Sequence, residues 1–105
     1  MTSDAFTALL NRRIESMETT LLKKAGEYAN RYDRLHNFKR AAGILGTTPE
    51  EALVGMMVKH LTSIFDIVDR IPDGCLPTRA MLDEKIGDTI NYAVLLEALI
   101  TERLP

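Results

Sequence analysis

"GTTPEEALVGMMVKHLTSIFDIVDRIPDG", running from Gly46 to Gly74, decides the fold. Its opening residues spell a helix start. Thr48 is placed as the N-cap, Pro49 at the first helical position and Glu51 where it closes a capping box. Val54, Met57, Leu61, Ile64, Val68 and Ile71 then recur at three- and four-residue steps, the period of one helix face, and form the expected core stripe. "IPDGCLP" ends the helix, because Pro72, Gly74 and Pro77 all favour turns.

The flanking segments read the same way. Downstream, Thr78 caps a fourth helix that runs to about Arg103. Upstream, "DRLHNFKRAAG" puts Leu35, Phe38 and Ala42 on one face of a short helix, with Asp33 as cap and Gly43 as terminator. At the start of the chain, Phe6, Leu10, Ile14, Met17, Leu21, Ala25 and Tyr28 mark a long amphipathic helix capped by Ser3 or Asp4. The expected fold is all-α, a single domain over residues 1–105 built as a bundle of three long helices and one short one. Helices of roughly 22 to 25 residues span about 35 Å, long for so small a domain. The C-terminal half of the fourth helix is apolar nearly all round, and such a helix is buried on two sides. A homo-oligomer, a dimer or larger, is therefore expected.

Composition bounds the function. The chain has 105 residues, of which 46% are hydrophobic and 27% charged, and a formal charge of −2. That balance gives no basic face for general nucleic-acid binding. The lone Cys75 has no second cysteine for a disulfide or a metal knuckle. The N-terminal stretch lacks the pattern of a signal peptide, and no apolar run approaches the ~20 residues of a membrane span. The expectation is a cytoplasmic protein without membrane contact.

Several residues could carry chemistry. Glu84, Asp88 and Asn91 follow at steps of four and three, so they share one strip of the fourth helix before it turns apolar. Acids near the helix start suit the dipole, which explains Asp83 and Glu84 better than Asp88 and Asn91. On the third helix, the face away from the core carries Gly55, Lys59, Thr62, Ser63 and Asp66, with His60 at its border. Asp66 and Asp69 offer two carboxylates three residues apart, either towards a metal or as surface charge. "KKAGEYANRYDRLHNFKR" mixes Lys24, Arg31 and Lys39 with Tyr28, Asn37 and Phe38, a combination that can hold phosphate and stack a base. The same residues also read as core aromatics among solvated cations. Glu15 and Glu18 form a Glu-x-x-Glu pair that Arg12 and Arg13 are close enough to neutralise.

"EKIGDTINYAVLLEALI", preceded by "GMMVKHLTSIFDIV" and "DRLHNFK", resembles a small family of phage- and prophage-encoded helical proteins, from about Lys24 to Glu102. More remotely it resembles the MazG-like and dimeric dUTPase group of nucleoside triphosphate pyrophosphohydrolases. In that group Glu-x-x-Glu and Glu-x-x-Asp elements on neighbouring helices bind Mg²⁺, which holds the triphosphate and activates water. Here Gly87-Asp88 matches the second element, but Lys85 stands where its glutamate belongs and Glu84 is off by one. Lys59 stands near an expected acid of the first element, where Asp66 and Asp69 offer the only pair.

The resemblance thus implies a MazG-like, nucleotide-shaped pocket between the third and fourth helices more than it implies hydrolysis. Lys24 and Lys59 would hold phosphate, Asp88, Asn91 and Asn37 a base or ribose, and Tyr28 or Tyr92 would stack. Mg²⁺ is the implied cofactor if Asp66, Asp69, Glu84 and Asp88 converge on it. The expected function is a phage-type nucleotide-binding protein, at most a degenerate pyrophosphohydrolase. The rival reading is a non-catalytic counter-defence protein that sequesters a nucleotide signal or blocks a host defence protein.

Overall fold

Thr2, rather than Ser3 or Asp4, starts the first helix: its hydroxyl accepts a hydrogen bond from the Ala5 N–H at 3.1 Å. The computed structural model describes residues 1–23 and 33–105. In them α1 spans Ser3–Glu18, α2 His36–Leu45, α3 Pro49–Arg70 and α4 Arg79–Thr101. A π-helical turn, Thr19–Lys23, follows α1, and a short 3-10 turn, Ile71–Asp73, follows α3. Among the described residues no β-strand forms, and no helix is long and apolar enough to cross a membrane.

The capping box of α3 is complete. The Glu51 N–H donates to the Thr48 hydroxyl at 3.1 Å, and the Glu51 carboxylate accepts from the Thr48 N–H at 3.1 Å. Thr78 likewise caps α4 by accepting from the Met81 N–H at 3.1 Å. The end of α2 differs from the sequence expectation. Gly43 is an ordinary helical residue, and the helix stops three residues later at Gly46, whose φ of 70° is the left-handed conformation of a helix terminus. Asp33 precedes α2 as expected, but as an Asx turn: its carboxylate accepts from the Leu35 N–H at 2.9 Å.

The core is small and sits where α2, α3 and α4 meet. Leu35, Phe38, Leu53 and Leu99 are buried together, with Met57, Tyr92, Leu95 and Leu96 packed against them. α3 and α4 run antiparallel, so that Glu50 near the start of α3 pairs with Arg103 just beyond the end of α4. A second pair, Lys39 with Glu102, ties that end to α2 at 3.0 Å.

Two expected stripes are placed differently from the sequence reading. On α3 the buried residues are Ala52 and Leu53, while Val54, Val68 and Ile71 are exposed. Met57 faces the core as expected, but Leu53 takes the place of Val54, so the packed stripe starts one residue earlier. On α1 no residue is buried, and Phe6, Leu10 and Ile14 face outward. Ala25 and Tyr28, the continuation of that stripe, lie outside the described residues. The Arg13 guanidinium secures α1 to α4 by donating to the Asp83 carboxylate at 3.0 Å and to its carbonyl at 3.2 Å. It does not neutralise Glu15 or Glu18. Gly87 makes room for it: a Cβ there would lie 2.7 Å from Arg13 Nη1.

Candidate functional site

One polar cluster interrupts the apolar α3–α4 contact. His60 comes from the middle of α3, Asp88 comes from α4, and Asn91 and Tyr92 follow one turn later on α4. His60 Nδ1 lies 3.6 Å from an Asp88 carboxylate oxygen, ion-pair distance if the imidazole is protonated but too long for a hydrogen bond. The His60 and Tyr92 rings stack in a tilted arrangement, with centroids 5.4 Å apart. Burial, and then the nearby Asp88 carboxylate, push the Tyr92 phenol above its ordinary value.

Two buried polar atoms here have no hydrogen-bond partner, His60 Nδ1 and Asn91 Oδ1. Burying such a group unpaired costs about 1–3 kcal/mol, so most native structures avoid it. Asp88 is the opposite case. Its side chain is 41% exposed, whereas the His60 side chain is nearly buried and Asn91 is buried.

A separate cleft lies towards the α3–α4 turn. One turn along from His60 and Asp88, its hollow of about 280 Å³ is lined by Ser63, Asp66 and Arg70 of α3 and by Met81 and Lys85 of α4. Cys75 and Thr78 close its far end. The Thr78 hydroxyl is committed to its cap, and the Ser63 hydroxyl donates to the Lys59 carbonyl at 3.1 Å. Arg70 and Lys85 therefore supply its positive charge. Lys85 lies 3.5 Å from Glu84, a loose contact that leaves the ammonium free to turn inward.

The residues expected from sequence divide accordingly. Asp88 and Tyr92 are brought together at His60, and Asn91 is buried on the same helix. Lys59 is exposed on α3, and it is the adjacent His60, on the packed side of the helix, that faces Asp88. Asn37 is exposed on the first turn of α2. Lys24 and Tyr28 lie outside the described residues. Asp66 lines the cleft, Asp69 is exposed on α3, and Glu84 is exposed beside Lys85. Among the described residues no group of three or more His, Cys, Asp or Glu side chains is arranged to hold a metal ion. Asp66, Asp69, Glu84 and Asp88 thus do not form the four-carboxylate set drawn from the resemblance. No protein-family model, curated protein or solved structure significantly matches this chain.

Sequence reasoning missed His60 as a member of the site. The signal was its position: it lies seven residues after Leu53 and three after Met57, on the stripe that packs, where a polar ring has to find a partner.

Proposed function

We propose that the α3–α4 groove binds a nucleotide or nucleotide-derived phosphate and holds it without hydrolysis. The observation that carries this reading is the pair of buried, unpartnered polar atoms, His60 Nδ1 and Asn91 Oδ1, beside the open Asp88 carboxylate. A base or ribose brings the hydrogen-bonding edges that such atoms lack, and Tyr92 offers a ring to stack on. Its phosphate would reach one turn further, into the separate cleft at Lys85 and Arg70, whose charges suit an anion better than the exposed Lys59 does. The sequence resemblance to phage-encoded helical proteins, and more remotely to the MazG-like group, supports the same ligand class, and the protein would act by sequestering that ligand as a homo-oligomer. Hydrolysis has weaker support, because the acids needed to hold Mg²⁺ do not converge.

Isothermal titration calorimetry with nucleoside mono-, di- and triphosphates tests this reading. Saturable binding that is lost in both Asn91→Leu and Lys85→Glu is expected. No heat with any nucleotide at millimolar concentration would remove it. Mg²⁺-dependent pyrophosphate release that disappears in Asp88→Ala would turn it into an enzyme.

A further inference from the structure

Three guanidinium groups converge on one carboxylate where α1 meets α4. Arg13 Nη2 and Arg79 Nη2 lie 3.0 Å and 2.8 Å from the same Asp83 oxygen, Oδ1. Arg12 acts on that carboxyl as well: burial raises it, but Arg79, Arg12 and Arg13 together outweigh the burial. Asp83 cancels one of the three positive charges and leaves two. Among the described residues no other acid pairs with these arginines. Arg13 is held in place. Its Nη1 donates to the Asp83 carbonyl at 3.2 Å, and it lies against α4 where a Cβ on Gly87 would come within 2.7 Å. A hollow of about 150 Å³ opens beside it, lined by Arg12, Arg13, Ser16 and Asp83. Helix geometry sets Ser16 between the two α1 arginines, about 40° round from Arg12 and about 60° from Arg13. Its hydroxyl has no hydrogen-bond partner among the described residues.

We infer that this hollow binds the phosphate group of a small phosphomonoester, between α1 and α4 and separate from the α3–α4 groove. Charge selects the ligand class. A phosphomonoester carries about −1.5 to −2 near neutral pH, which matches the two positive charges that Asp83 leaves. A carboxylate would neutralise only one of them. Donor geometry agrees. A guanidinium presents its N–H groups as a planar fork that fits pairs of phosphate oxygens. Arg13 uses two of its five N–H groups on Asp83, and Arg12 uses none on any described acid. The Ser16 hydroxyl adds a neutral donor on the same rim. Arg12 and Ser16 belong to α1 and Arg79 to α4, so a bound phosphate would fasten the two helices together. α1 buries none of its residues, and such a bridge would add to a contact with little apolar content.

Hydrogen–deuterium exchange on the full chain at neutral pH tests this. The probes are inorganic phosphate and glycerol 3-phosphate, with sodium chloride of equal ionic strength as the control. The amides of Ile14 to Glu18 exchange when α1 opens, so a probe at about ten times its dissociation constant should slow them about tenfold. Both probes are expected to do this, and chloride is not. Arg12→Gln should abolish the slowing and leave exchange without phosphate unchanged. Arg12→Lys keeps the charge but not the fork, and should raise the phosphate concentration required. Lys85→Glu, in the α3–α4 cleft, should leave the slowing intact. No slowing with either probe at millimolar concentration would remove the site, and equal slowing by chloride would reduce it to charge screening. Slowing that survives Arg12→Gln but is lost in Lys85→Glu would overturn the assignment and place the phosphate in the α3–α4 cleft. Slowing by inorganic phosphate but not by glycerol 3-phosphate would overturn the ester as ligand.

Discussion

Asn91 shows at a single residue what the groove asks of its side chains. Its amide oxygen is buried without a partner, so the amide sits at a position where an apolar group of similar volume would be easier to accommodate. Asn91→Leu is expected to raise the unfolding free energy by on the order of 1 kcal/mol in urea denaturation, with nucleotide binding lost. Unchanged or lower stability would mean that the amide is satisfied in solution. Tyr92 gives a second test. Its phenol is held above the ordinary value by burial first and by the Asp88 carboxylate second. Asp88→Asn removes only the second cause, so the Tyr92 absorbance titration should move down towards, but not reach, the ordinary tyrosine value. No movement would place the carboxylate too far away to matter. The polar strip of Asp88 and Asn91 was legible in the sequence because charged and amide side chains break an apolar helix visibly. His60 was not, because periodicity says which side of a helix a residue occupies and not what it meets there.

At the level of the elements, helix starts were read from sequence more reliably than helix ends and faces. Thr48, Pro49 and Glu51 fix the start of α3 through local hydrogen bonds that involve no other element. The stop of α2 is also local, but two glycines compete for it, and only backbone geometry separates Gly43 from Gly46. Their substitutions should therefore have opposite signs. Gly43→Ala meets open space inside a helix and is expected to stabilise by about 0.5–1 kcal/mol. Gly46→Ala forces a Cβ into the left-handed region and is expected to destabilise by roughly 1 kcal/mol. Thermal melts of the two variants settle the matter, and shifts of reversed sign would return the terminator to Gly43. The faces of α3 were misjudged for a different reason. Its two apolar stripes lie about 100° apart, and Leu61, Ile64 and Val68 can be strung into a stripe that mixes them. Nothing local says which one the neighbouring helices will choose.

Across the whole molecule, ion pairs act both within segments and between segments far apart in sequence. Lys39 holds the Asp33 carboxyl below its ordinary value, and Arg103 does the same to Glu50. Burial raises the Asp83 carboxyl, but Arg79, Arg12 and Arg13 outweigh it and leave it low. A carboxyl whose pKa is lower folded than unfolded contributes stability above its unfolded value, and that contribution disappears as pH falls through the folded one. Unfolding free energy measured in urea is thus expected to drop on acidification below the ordinary carboxylate range. Arg103→Gln should flatten that acid limb, while an identical limb would mean that the Glu50 contact is too well solvated to count. The all-α class and its helices were legible throughout, since each rests on period and caps. The arrangement of the bundle was not, because a radius of gyration of 16.0 Å depends on which faces pair. A compact chain of this length would have about 13 Å.

The attachment of α1 has a consequence in time. This helix buries none of its residues, and its hold on α4 is centred on one guanidinium against Asp83 and Gly87. Helices that share so little apolar contact open separately from the core, with a free energy well below that of global unfolding. In hydrogen–deuterium exchange, the amides of Ile14 to Glu18 should therefore exchange far sooner than those of Leu95 to Leu99, although both sets are helical. Arg13→Ala should widen the gap by speeding the first set alone. The molecule would then spend part of its life with α2, α3 and α4 closed and its first helix detached.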